Sequence, residues 1–414
     1  MLFARLLEHI VKVGRLTVID AGRKEHTFTG TTGSSLTIRL HDKALHWKLF
    51  FKPELYLGEA YMDGTLTVEN GDIYDFLAFA TANMEKAGGH PIMDWVARAD
   101  SLFRRFQQYN PVSRARRNVA HHYDLSGELY DLFLDRDRQY SCAYFTDPSA
   151  DLETAQLDKK RHIAAKLLLE EDMEVLDIGC GWGGLAIYLA EAAGVRVTGL
   201  TLSEEQLTVA RERARRRGLE DRVSFHLKDY REQTGTFDHI VSVGMFEHVG
   251  VTHYGAYFDA VNSLLKKDGV ALIHTIGRSD VPRATNPWIR KYIFPGGYIP
   301  ALSEMMNSIE ETELVTCDIE VLRLHYAETL RHWRQRFQAN REKAAEIYDE
   351  RFCRMWEYYL AASEVSFRHM DNVVFQVQLS RKRDAVPLTR DYISDWEQRL
   401  RREDKNATGG GAAA

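Results

Sequence analysis

The sequence predicts an α/β fold: a mostly parallel sheet covered by helices on both faces, preceded by a small α+β domain. Three observations carry this. From about residue 170, short apolar runs alternate regularly with helix-like runs, as in successive βα units. Those apolar runs are nearly continuous, the pattern of strands buried on both faces. Residues 1–85 instead mix one helix-like segment with short period-two runs.

The 414 residues suffice for two domains. Apolar residues (44%) and charged residues (28%) stand at ordinary soluble levels, and the net charge of −6 gives no reason to expect nucleic acid. Cys142, Cys180, Cys317 and Cys353 fit neither a disulfide framework nor a zinc site, so reduced thiols in a cytoplasm and no metal are expected. The opening "MLFARLLEHIVKVGRL" is interrupted by Glu8, His9 and Lys12 and is not read as a secretory signal. With no window near 18 uninterrupted apolar residues, no membrane span is expected.

In chain order, "LTVIDA", "HTFTG" and "SLTIRL" read as strands of a small sheet, and turns then lead into the apolar helix around "YDFLAFA". The stretch 86–117, with "AGGHP" and "YNPVSRARR", reads as a helical connector. This gives a small domain over 1–115, a larger one over 116–403 and a disordered tail over 404–414. Arg104, Arg105, Arg114, Arg116 and Arg117 lie in that connector with no acid over 101–117. They read as a solvated face or as a patch for anionic lipid headgroups.

In the larger domain "EVLDIG" is a strand and "GGLAIYLAEAAG" a helix closed by Gly194. "VRVTGLTLS" is the next strand, and "SEEQLTVARERARRRG" is a helix with Ser203 as N-cap and Gln206 at N3, the pattern of a capping box. "VSFHLKDY" and "FDHIVSVGMF" follow as strands, then a helix through "YFDAVNSLLKKDG" and the strand "VALIHTIG". After a Pro- and Gly-rich insertion come two amphipathic helices, about 325–345 and 348–369, and a last strand "NVVFQVQLS".

The run "VLDIGCGWGG" sets Gly179, Gly181, Gly183 and Gly184 between a strand and a helix, where glycine allows a tight turn and close approach of a ligand. Its G-x-G-x-G spacing and Asp177 within the strand differ from the dinucleotide fingerprint. The run resembles motif I of S-adenosylmethionine-dependent methyltransferases. That resemblance implies a cofactor site at Asp177, Gly179, Cys180, Gly181, Trp182 and Gly183. The next strand ends in Thr201 and Ser203, with Gln206 one turn on, where such enzymes commonly have an acid for the ribose. Asp229 and Tyr230 of "KDYR" are candidates for the adenine amine and for stacking.

"YDLSGELYDLFLD", "YSCAYF", "VLDIGCGWGG", "GLTLSEEQ", "VGMFEHVG", "HTIG" and "YIFPGG" occur in this order. Together they resemble the cyclopropane-fatty-acyl-phospholipid synthases and their mycolic-acid relatives, strongly over about 120–382. "LGEAYMDG" extends the likeness into the small domain. The resemblance implies a Rossmann-like class I methyltransferase with a seven-stranded sheet and a lipid-binding N-terminal domain. It also implies a homodimer at the cytoplasmic face of the inner membrane and an unsaturated phospholipid as substrate.

It implies a mechanism as well. A sulfonium methyl passes to a cis alkene, and the carbocation-like centre that results must be kept from water. A base then removes a proton from the delivered methyl and the ring closes. Family members use bicarbonate as that base; its ligands fall here on Cys142 (main chain), Glu247, His274, Ile276 (main chain) and Tyr326. Glu247, expected to stay ionised beside His274 and Tyr326, would orient the anion rather than take the proton. Tyr140 and Ser141 match the pair that covers the methionine end of the cofactor. His248 is read as structural.

One departure stands out: Ser363 in "YLAASEVSFR" occupies a place where many relatives carry Cys. Fatty-acyl C-methyl transfer without ring closure is therefore kept as the alternative outcome. Methylation of a soluble acceptor and lipid binding by a vestigial methyltransferase fold are the readings outside this chemistry.

Overall fold

A computed structural model describes residues 2–88 and 126–409. The expected connector, its five arginines and the boundary near 115 lie outside the described residues. Among the described residues two sheets form. The smaller has the order β2-β1-β3-β4, from β1 (Val13–Ile19), β2 (Glu25–Thr29), β3 (Thr31–Leu40) and β4 (Leu66–Asn70). Its strands bury alternate residues, such as Leu16 and Val18 on β1, as period-two patterning dictates.

The larger sheet has the order β10-β11-β9-β8-β5-β6-β7. Its strands are β5 (Glu174–Ile178), β6 (Arg196–Thr201), β7 (Val223–Leu227), β8 (Phe237–Val243), β9 (Leu265–Arg278), β10 (Val315–Leu322) and β11 (Asn372–Ser380). Strands β7, β6, β5, β8 and β9 pair in parallel, and β11 runs antiparallel between β9 and β10. Strand order reverses between β5 and β8, the switch point at which such sheets open a cleft at their carboxyl ends. The sheet is the seven-stranded, mostly parallel one expected.

Several elements differ from expectation. The segment 325–345 is two helices, His325–Ala339 and Arg341–Ile347, hinged at Asn340; the next is Glu350–His369. β10, with alternating acids, and the helix Leu152–Leu167 were not anticipated. That helix buries Asp158, Lys159, His162 and Lys166 alongside its apolar residues, so it shows no amphipathic stripe. The last helix, Asp391–Gly409, runs through much of the expected tail, because its apolar residues Ile393 and Leu400 dock on the larger domain.

The small domain packs directly on the helix Glu350–His369. Tyr61 Oη donates to Glu357 Oε2 (3.0 Å), Arg351 pairs with Asp63 (2.8 Å), and Trp288 Nε1 donates to Met62 Sδ (3.2 Å). One apolar cluster runs without a break from Leu16, Ile38 and Leu66 to Trp288, Trp356, Phe133 and Trp333.

Candidate active site

The turn after β5 carries positive φ at Gly179, Gly181 and Gly183 (85°, 52° and 80°), conformations that side chains disfavour. A Cβ on Gly179 would lie 2.8 Å from Met245 Cβ, and one on Gly183 would lie 2.6 Å from Phe225 Cζ. At Gly181 a Cβ would meet nothing within 4 Å, since this residue faces an open cleft. The tight packing therefore sits at Gly179 and Gly183. Gly181 keeps the space over the turn clear.

Tyr140, Ser141, Asp177, Gly179, Cys180, Gly181 and Trp182 line this cleft from one side. Thr201, Gln206, Asp229 and Tyr230 line it from the other. Ser203 and Gly183 stand outside the lining. Ser203 caps the helix Glu204–Arg216 by accepting from Gln206 N (3.3 Å). The reciprocal arm of the expected capping box belongs to Thr201, whose Oγ1 accepts from Ser203 N (3.1 Å) and donates to Gln206 Oε1 (2.8 Å). The Asp229 carboxylate, expected to serve an adenine amine, is held by Arg231 through Nε (2.8 Å) and Nη2 (2.7 Å). Arg231 was not among the expected residues. His248, read as structural, lines the cleft, and burial pushes its imidazole down to about 4.

At the cleft floor Asp177 is 1% exposed, and burial pushes its carboxyl up to about 7. Its Oδ2 has no hydrogen-bond partner among the described residues. A buried carboxyl oxygen left this way is costly and marks a place where a ligand donor belongs.

The five residues expected to surround an anion are not among those lining the cleft. Glu247 sits in the short 3₁₀ turn Phe246–His248 that follows β8. Its Oε1 accepts from Ile276 N at 2.6 Å, and Oε2 is buried with no partner among the described residues. Burial pushes Glu247 up to about 7, against the Ile276 N–H and the Thr275 hydroxyl, which pull it down. Glu247 was expected to stay ionised; burial opposes that form, and the partner of its Oε1 is the main chain of Ile276. Ser141 joins the two compartments, since it lines the cleft and its Oγ accepts from Lys159 Nζ at 2.7 Å. Lys159 is wholly buried, and that burial pushes its ammonium down to about 7.

Cys142 is buried, its thiol donates to Ala143 O (3.2 Å), and burial raises the thiol well above its usual range. His274, 2% exposed on β9, is bonded at Nδ1 by Gln376 Nε2 (3.1 Å), and Gly244 N donates to its carbonyl (2.9 Å). Tyr326 packs against Phe367 (4.7 Å between ring centres) and Trp333 (5.7 Å). Tyr140 stacks on the same Trp333 (5.2 Å) and shares a hydrogen bond with Tyr359 (2.9 Å). Ser363 is half-buried on the helix Glu350–His369 and is not part of the cleft lining. Lys159 and Gln376 are polar residues of this region that sequence reasoning missed. Two glutamines inside the otherwise apolar "NVVFQVQLS" were the available signal.

Comparison with known proteins places this geometry. Residues 111–377 match the family described as mycolic acid cyclopropane synthetase. The cyclopropane-fatty-acyl-phospholipid synthase of Escherichia coli K12 is 40% identical over 346 residues, covering 83% of this chain and 87% of the relative. The tuberculostearic acid methyltransferase of Mycobacterium tuberculosis is 38% identical over 339 residues, 78% of each chain. Among solved structures, a mycolic acid cyclopropane synthase complexed with SAH and CTAB superposes with a TM-score of 0.61 at 31% identity, over 66% of this chain and 99% of the other. The chain belongs to the mycolic acid cyclopropane synthetase family and is an S-adenosylmethionine-dependent methyltransferase.

Proposed function

We propose that this enzyme converts the cis double bond of an unsaturated phospholipid acyl chain into a cyclopropane ring, with a hydrogencarbonate ion as the base. The observation that carries the reading is the buried Glu247 Oε2, without a partner among the described residues, on the turn whose Met245 and His248 line the cleft. An oxygen of that kind suits an anion that still carries one O–H. Bound S-adenosylmethionine supplies the electrophilic methyl, and the Gly181 clearing and the orphan Asp177 oxygen fit its approach over the glycine turn. Glu247 accepts the anion's O–H and so turns its basic oxygens toward the substrate, while His274 and Tyr326 bind the rest of it. Cys142 contributes main chain, since its raised thiol is a poor nucleophile at neutral pH. Ile276 acts through Glu247, which its N–H aims.

Tyr140, Tyr326, Trp333 and Tyr359 supply apolar faces that exclude water, and their negative quadrupoles favour a cationic carbon. The roles of Thr201, Gln206 and Tyr230 are ribose and adenine contacts, and Asp229 acts there as the partner of Arg231. Peripheral association with the cytoplasmic face of the membrane is supported by Trp47 and Phe51, stacked at 6.1 Å and 57% and 61% exposed between Lys43 and Lys52. No described helix is long and apolar enough to cross a membrane. A homodimer and headgroup contacts by Arg104, Arg105, Arg114, Arg116 and Arg117 complete the proposal.

The test is incubation with S-adenosylmethionine and vesicles of unsaturated phospholipid, followed by proton NMR of the lipid. Ring-methylene signals upfield are the expected result. A methyl or methylene branch would establish the alternative without ring closure, to which the tuberculostearic acid methyltransferase relative lends weight. Absence of S-adenosylhomocysteine release would refute both.

A further inference from the structure

A row of polar side chains crosses the sheet where apolar ones are the rule. Glu320 on β10 and Gln376 on β11 are register partners, and so are Gln376 and His274 on β9. Gln376 is 0% exposed. Lys166, equally buried, reaches this row from the helix Leu152–Leu167; its ammonium donates to Glu320 Oε2 and, at 2.9 Å, to Gln376 Oε1. An ammonium has donors only, so the amide atom facing it must be the oxygen. That orientation turns the amide nitrogen of Gln376 toward His274 Nδ1. An amide nitrogen also only donates, so Nδ1 accepts and carries no hydrogen. The single hydrogen of the neutral ring is left on Nε2. Burial, reinforced by the charges of Lys159, Lys166 and His162, opposes a second proton.

We propose that Lys166 and Gln376 are positioning residues that fix His274 in its Nε2–H form, so that the ring meets the bound anion as a hydrogen-bond donor. The second clause rests on the hydrogencarbonate reading; the tautomer does not. The clamp is itself anchored. His162 Nε2 lies 2.7 Å from Glu320 Oε2, and its Nδ1 lies 2.5 Å from Glu397 on the last helix. Burial alone would raise Glu320, but His162 and Lys166 hold its carboxyl well below the usual range, so it stays a fixed acceptor. Such partners behind a histidine choose which ring nitrogen faces its ligand.

The experiment is two-bond ¹H–¹⁵N NMR of the full chain labelled at histidine, with the His274 signals assigned by their loss in His274→Ala. The parent should show a neutral ring protonated at Nε2 without substrate present. Gln376→Glu should move that hydrogen to Nδ1, because a carboxylate only accepts, and Lys166→Met should give mixed forms. An Nδ1–H ring or an imidazolium in the parent overturns the proposal, whether or not the variants fold. In assays, Gln376→Glu should raise the bicarbonate needed for half-maximal turnover by about tenfold, the worth of one charged hydrogen bond. Its affinity for S-adenosylhomocysteine should not change. A switched tautomer with unchanged bicarbonate dependence overturns the donor role and leaves the clamp standing.

Discussion

In the cleft over the glycine turn most polar groups arrive already paired. Thr201 holds Gln206, and Arg231 holds Asp229 with two nitrogens. Away from that lining Glu247 keeps a buried oxygen without a partner among the described residues, and Lys159 is buried against the Ser141 hydroxyl. The cleft is built from strand ends that follow one another closely in sequence. The residues expected around an anion, at 142, 247, 274, 276 and 326, are scattered along the chain, and among them the fold bonds Ile276 N to Glu247. Pairing in the cleft supports binding, which must be reversible. A buried carboxyl oxygen without a partner is costly, and it persists only where the surrounding packing enforces it.

The largest effect should come from breaking the pocket. Glu247→Gln keeps the shape and removes an acceptor, so turnover on unsaturated vesicles should fall about 10²–10⁴-fold, the range for a positioned acid–base group. Calorimetric affinity for S-adenosylhomocysteine should match the parent. Turnover within a few fold of the parent would remove Glu247 from any part in organising a base.

Breaking the cleft should split two properties that the pocket does not. Gly179→Ala drives a methyl against Met245 and strains a positive φ, so it should cost about 2–4 kcal/mol in thermal unfolding. Gly181→Ala meets no protein atom; it should cost about 1 kcal/mol in strain yet lose most affinity for S-adenosylhomocysteine. The reverse pattern would mean that the ligand does not pass over Gly181.

The same contrast explains what could be read from the sequence. The cleft's turn, strand ends and N-cap are local, and local spacing revealed them. The residues expected around an anion rest only on a resemblance of motifs, because no spacing rule joins 142 to 326. The bond from Ile276 N to Glu247 could not be read locally, because it spans 29 residues and depends on the pairing of β8 with β9. Lys159 and Lys166 escaped for a related reason: buried polar residues on a helix covered all round break the periodicity that sequence reading relies on. Gln376 sits in a strand whose neighbours are buried on both faces, where a polar residue breaks the apolar pattern in the same way.

Stability against pH should separate the compartments further. Glu247 has its carboxyl raised from 4.5 to about 7 in the folded protein. Between those values the unfolded chain has lost the proton that the folded chain keeps, so folding becomes less favourable as pH rises, and the cost is complete above 7. The loss is on the order of 3 kcal/mol. Glu247→Gln, which cannot ionise, should therefore unfold at a higher temperature than the parent at pH 8 and lose that advantage near pH 4. An equal difference at both values would mean that Glu247 is not desolvated in solution.

The smallest expected effect tests whether the cleft's pairing is structural or functional. Ser203→Ala removes the acceptor for Gln206 N and should lower stability by about 1 kcal/mol, the usual worth of an N-cap. The bonds from Ser203 N to Thr201 Oγ1 and from Thr201 to Gln206 Oε1 do not use the Ser203 hydroxyl. The two side chains that line the cleft should therefore keep their places, and affinity for S-adenosylhomocysteine should change less than about threefold, within the reach of a lost cap. A loss of affinity far beyond the loss of stability would place the Ser203 hydroxyl on the ligand itself. Ser203 would then move from helix cap to cofactor contact, beside the Asp177 oxygen that the cleft already leaves without a partner among the described residues.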